Sequence, residues 1–177
     1  WWEIDATSPE LQTGGTRGVV LGGYKYPNGG SNQIGHINIS TTGNEVDSGG
    51  DLLAARYGLG TVSDRTRGLA FGGRNDPSPS ASVDVIQHVT IASNSNSIDF
   101  GDLLSGQGWE QMAGCSDRTR GVIGGGYQNP QSTATKNIIS YVTIQSLGDA
   151  IDFGDLTVAR SGLSVSYTHL RAHETHE

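Results

Sequence analysis

An all-β chain built from one four-stranded unit repeated three times is what this sequence predicts, and three observations carry the prediction. Glycine accounts for 27 of 177 residues while aromatic residues make up 7%, a composition suited to short strands and tight turns rather than helices. A polar turn, an apolar run and a glycine pair recur. Thr16-Arg17-Gly18 leads to Gly22-Gly23, Ser63 to Arg67 lead to Gly72-Gly73, and Ser116 to Arg120 lead to Gly125-Gly126. The matching residues Thr16, Thr66 and Thr119 are 50 and 53 residues apart, and a self-similar period of about 50 residues marks a repeat architecture such as a propeller.

Taken in order, each unit yields four strands. The first is a run dominated by small residues at Leu59 to Ser63 and Met112 to Ser116, as a strand against a crowded axis requires, and Glu10 to Thr13 is the expected inner strand of the first unit. The second is the apolar run that ends on the glycine pair. After a loop (Tyr24 to Gln33, Arg74 to Ser82, Tyr127 to Lys136) comes the third, Ile34 to Ile39, Val83 to Ile91 and Asn137 to Ile144. Val89-Thr90-Ile91 and Val142-Thr143-Ile144 alternate apolar and polar residues with the period-two pattern of a half-buried strand. The fourth strand is Ile-Asp-Phe-Gly-Asp-Leu at 98–103 and again at 151–156. Its first copy, Val46 to Leu52, has one extra residue and no Phe, which predicts a bulge at an outer strand. Four antiparallel strands per period make one propeller blade.

These motifs resemble kelch repeats, in a divergent subclass. An apolar strand ends in a glycine pair, a variable loop and two strands follow, and Arg56 and Arg160 stand where such repeats carry Arg; Gln107 departs from this in the second copy. The usual tryptophan of the fourth strand is replaced by Phe100 and Phe153. More closely, Thr-Arg-Gly, the glycine pair, Val-Thr-Ile and Asp-Phe-Gly-Asp-Leu together resemble repeats of environmental phage and marine-microbe proteins, tail-fibre-like ones among them. The resemblance spans residues 11 to 164 and implies a β-propeller fragment, an open arc of about three four-stranded antiparallel kelch-like blades. The expected division is a remnant of a preceding blade over 1–10, blade 1 over 11–57, blade 2 over 58–108, and blade 3 with the start of a further inner strand over 109–164. The missing blades of a parent chain are then expected partners. Residues 165–177 read as a non-native tail, since Val165 to Thr175 resembles one reading frame of a sequencing adapter. With it go His169, His173 and His176, three of the five histidines.

The net charge of −7 provides no basic stripe for phosphate backbones, so nucleic acid is not an expected partner. No apolar run approaches the roughly 20 residues of a membrane-spanning helix, and no membrane partner is expected. The Asp-Phe-Gly triplets lack the other protein-kinase motifs and recur once per period, so they read as architecture. The glycine pairs end strands instead of opening helices, which disfavours a phosphate cradle and favours close passage of neighbouring chain. Arg17, Arg67 and Arg120 are expected to lock turns or bridge blades, and Asp102 and Asp155 to accept hydrogen bonds from turn amides or pair with Arg. His36 and His88 share a repeat position with Tyr141 and read as packed side chains; Cys115 reads as a small buried residue. No catalytic residue, metal ligand or cofactor is expected.

Residues repeated in every blade build it, so recognition falls to positions that differ between copies. Those are the three loops and Gly106 to Gln111, and in kelch-like propellers they share one face. Tyr24, Tyr26, Arg74, Trp109 and Tyr127 are therefore the candidate ligand-binding residues, suited to a protein or glycan ligand. The function implied is a non-catalytic interaction scaffold, such as the receptor- or glycan-binding part of a phage tail fibre or surface protein, on a virion or outside a cell. The alternatives are part of a copper radical oxidase-type propeller, which needs a Cys-Tyr pairing and histidine ligands, and a purely structural spacer.

Overall fold

The computed structural model describes residues 16–75, 81–104, 108–129 and 135–166, and these form thirteen β-strands. The first sheet holds β1 (Arg17–Leu21), β2 (Tyr24–Lys25), β3 (Gly29–Asn38) and β4 (Val46–Tyr57), with β7 (Arg74–Asn75) added at its edge. The second runs β5 (Gly60–Ser63), β6 (Arg67–Phe71), β8 (Val85–Thr90) and β9 (Ile98–Asp102). The third runs β10 (Ala113–Ser116), β11 (Arg120–Gly124), β12 (Ile138–Thr143) and β13 (Ile151–Asp155). All pairings are antiparallel. This is an all-β arrangement of three successive propeller-type blades. The expected inner strand Glu10 to Thr13, the remnant over 1–10 and the tail from residue 167 lie outside the described residues.

Two elements differ from expectation. The first loop is largely a hairpin, in which Tyr24 pairs with Gly30 and Lys25 with Gly29 around Pro27-Asn28, residues that favour a turn. Leu53 to Tyr57, beyond the expected fourth strand Val46 to Leu52, continues β4, with Arg56 paired to Ser31 on one side and Arg56 and Tyr57 paired to Asn75 and Arg74 of the next blade on the other. The bulge also proves general. In blades 2 and 3 the ladder skips Phe100 and Phe153, and the residue inserted in the first copy widens an irregularity that every fourth strand has.

The cores lie between blades. Val62, Leu69, Phe71, Ile86 and Phe100 from blade 2 pack with Met112, Ile123, Val142 and Ile144 from blade 3, while Ile34 and Leu52 of blade 1 meet Val89 of blade 2. Burial of apolar faces between stacked units is what stabilises such an array. Small residues serve this packing: a Cβ on Gly114 of the inner strand β10, or on Gly121 of β11, would lie 2.5 or 2.4 Å from a methyl of Val62.

Polar groups fasten the same seams. Arg17 donates to Asn94 Oδ1 at 2.6 Å, and Arg67 donates to the Ile144 carbonyl at 3.2 Å, so both bridge to the following blade. The turns themselves are held by aspartates. Asp64 Oδ1 accepts from the Thr66 and Arg67 amides, and Asp117 Oδ1 from those of Thr119 and Arg120. These hydrogen bonds favour the carboxylate form and hold Asp117 below its ordinary range.

The link between blades repeats as well. Its carbonyl at Arg56, Trp109 or Arg160 accepts from the second glycine of each pair, Gly23, Gly73 or Gly126, at 2.8–2.9 Å. Trp109 thus takes the backbone place of Arg56, and the alignment that set Gln107 there is two residues out of step. Two residues further on, Gly58, Gln111 and Gly162 all adopt positive φ, at 69°, 56° and 64°. A side chain is strained there by about 1–2 kcal/mol. Gln111→Gly is expected to stabilise the fold by about 1 kcal/mol, net of the unfolded-state entropy of glycine. A higher urea midpoint is the readout, and a lower one would show that the Gln111 side chain makes a contact worth more than the strain.

His88 is buried edge-on against Phe100, with ring centroids 6.0 Å apart. Burial first, and the Arg67 charge second, hold its imidazole below the ordinary value of 6.5. The unfolded chain therefore takes up the proton first, and stability present above about pH 6.5 is lost as pH falls through that value toward the depressed one. His88→Tyr, which installs the residue of the third copy, is expected to flatten that decline in urea midpoints between about pH 7.5 and 5.5. An unchanged slope would assign the effect to another group.

Candidate functional site

Several described residues from the segments that differ between copies come together on one surface. Tyr24, on the hairpin after the first glycine pair, stands edge-on to Tyr57 with ring centroids 5.1 Å apart. Arg74, directly across the strand pair from Tyr57, places its guanidinium 5.9 Å from the centre of the same ring. Tyr127 is bridged through its backbone to Glu110, and its phenol lies within electrostatic reach of Arg74 and Tyr57. Burial first, and then the Glu110 carboxylate to which it donates, push that phenol above its ordinary range. Glu110 is buried and also accepts from the Ser82 hydroxyl at 3.3 Å.

Tyr24, Arg74 and Tyr127 are thus brought into one group, and Tyr26 is exposed beside it on the hairpin turn. Trp109 is the correction. It is 1% exposed and sits in the core between blades 2 and 3, so it offers nothing to a ligand. Its amide donates to the Val83 carbonyl and its carbonyl accepts from Gly73, which turns the indole inward. Tyr57 and Glu110 complete the group. They occupy corresponding positions of two links, and their difference between copies is the signal that points to both.

Other residues depart from expectation. Asp102 is exposed and pairs with no Arg among the described residues; its amide donates to Asp149 Oδ1 at 3.0 Å. Desolvation, followed by the charges of Asp84, Asp149 and Asp99, raises its carboxyl above the ordinary range. Cys115 is only half-buried and, with Arg17, Val62 and Ser116, lines a groove of about 440 Å³ between the inner strands. Among the described residues no three His, Cys, Asp or Glu side chains are grouped as metal ligands, and no helix is long and apolar enough to cross a membrane.

Fold and site together define a propeller-type repeat scaffold with an aromatic and charged patch on its loop face. Comparison with known proteins gives no matching family model and no matching curated protein.

Proposed function

We propose that this protein is a non-catalytic interaction scaffold, a divergent kelch-like propeller that binds a protein or glycan ligand through its loop face. The carrying observation is the convergence of Tyr24, Arg74, Glu110 and Tyr127, one from each variable segment, around Tyr57 at the end of β4, on blades built from a shared repeat. Aromatic faces stack on sugar rings or apolar side chains, while a guanidinium and a carboxylate fixed beside them select for hydrogen-bonding groups. A glycan is the favoured ligand, because rings and charge are interleaved here instead of segregated into an apolar centre and a polar rim. Attachment to a cell-surface receptor, as in a phage tail fibre, is a setting in which such a patch serves.

The test is binding of the full chain to a panel of immobilised oligosaccharides. At least one is expected to be retained, with Tyr24→Ala or Tyr57→Ala weakening binding by about tenfold or more. Retention of none, or binding indifferent to both substitutions, would sink the glycan reading.

A further inference from the structure

The contacts between successive blades repeat so closely that the two outer faces of the array can be read as halves of the same interface. A Cβ placed on Gly50 of blade 1 would lie 2.4 Å from the Ser95 carbonyl oxygen of blade 2, and one on Gly101 of blade 2 would lie 2.4 Å from that of Gly148 in blade 3. The next glycine in this series is Gly154, on blade 3, and a Cβ there meets nothing within 4 Å. The next turn is Gly43, on blade 1, and a Cβ there also meets nothing within 4 Å.

Hydrogen bonds follow the same register. The Asp51 amide donates to Asn96 Oδ1 and the Asp102 amide to Asp149 Oδ1, both at 3.0 Å. In return the Asp51 and Asp102 carbonyls accept from Ser97 and Ala150, at 2.9 and 2.8 Å. Among the described residues, the corresponding groups with no such cross-blade bond are Asp155 on blade 3, and Asn44 and Glu45 on blade 1. Apolar residues agree. Phe100 is 3% exposed beneath blade 3, whereas Phe153 is 53% exposed. Val142 and Ile144 are buried against blade 2, whereas their counterparts on blade 1, Ile37 and Ile39, are 38% and 69% exposed. Arg67 reaches the Ile144 carbonyl of the next blade; its counterpart Arg120 lies over Tyr141 of its own blade, 5.1 Å from the ring centre.

We infer that two copies of this chain associate head to tail, blade 3 of each on blade 1 of the other, closing a ring of six blades. The described parts of both halves belong to one chain, so a second copy satisfies both at once. A heterologous contact used in both directions across a two-fold axis closes instead of growing into a filament. Six falls within the range of about four to eight blades over which such rings close.

Sedimentation velocity of the full chain tests this. The expected species has twice the 18.6 kDa mass of one chain. Phe153→Asp on one face and Gly43→Trp on the other are each expected to give monomers, with circular dichroism unchanged because both sites are exposed. Arg120→Glu and Asn44→Lys repeat the test should either first variant misfold. Mixing the Phe153→Asp and Gly43→Trp proteins is expected to restore a two-chain species, since one of the two seams then pairs intact faces. A wild-type monomer, a dimer indifferent to both substitutions, or a mixture that stays monomeric overturns the inference; the monomer would leave these faces to other blades.

Discussion

Trp109→Ala is expected to destabilise the fold by about 3–5 kcal/mol, the usual range for emptying a buried indole site. In a domain of this size that corresponds to a fall in melting temperature of roughly 10 °C. The side chain is fully enclosed at the seam of blades 2 and 3, packed in the cluster that holds Phe71, Met112 and Ile123. Its neighbours cannot close the gap easily, because the backbone on either side is pinned. The Trp109 carbonyl is held by Gly73, and a Cβ on the preceding Gly108 would lie 2.1 Å from Ser82 backbone atoms. Thermal unfolding followed by circular dichroism measures the effect, and a shift below a few degrees would show that the seam repacks. Any loss of ligand binding in this variant would therefore report unfolding and not a contact.

The second large effect is Gly72→Ala, expected to cost about 3–4 kcal/mol. Part is backbone strain at φ +54°, roughly 1–2 kcal/mol for a residue with a Cβ. The rest is collision, because the Cβ would lie 2.3 Å from the Trp109 carbonyl oxygen, and overpacking of this kind costs about 1–3 kcal/mol. Gly23→Ala separates the two contributions. Gly23 also has positive φ, at 110°, yet a Cβ there meets nothing within 4 Å. It is expected to lose only the strain, about 1–2 kcal/mol. Chemical denaturation of both variants side by side is the check, and equal losses would mean that the link carbonyl moves aside.

How far the candidate site could be read from the chain follows from what repetition encodes. Comparing copies separates residues that build from residues that vary, and it singled out Tyr24 and Tyr26, which are exposed, and Arg74 and Tyr127, which are half-buried. It failed for Trp109 because a residue can vary between copies for a structural reason. The link before Trp109 is two residues longer than its counterparts, so the indole enters the core at a place held by Arg56 in the first copy. That guanidinium is itself buried and donates to the Gly72 and Val85 carbonyls. Variation marks departure from the repeat, and only the direction of the side chain says whether the departure faces solvent.

By itself the sequence determined the repeat, the strands and their order, because period-two alternation, glycine pairs and polar turns are local signals that hold in any surroundings. It also marked Arg17, Arg67 and Arg120 as residues that lock turns or bridge blades, since a residue kept in every copy answers to what every copy touches; the structure has Arg17 and Arg67 bridging and Arg120 lying over Tyr141 of its own blade. Tertiary structure alone decided which side chains meet across a seam. It brought Tyr57 beside Arg74 and Tyr24, buried Glu110 beneath Tyr127, and left Phe153 open while covering the identical Phe100. Those outcomes depend on what packs against each face, and the residues that meet lie 17 or more positions apart along the chain, beyond the reach of any local pattern.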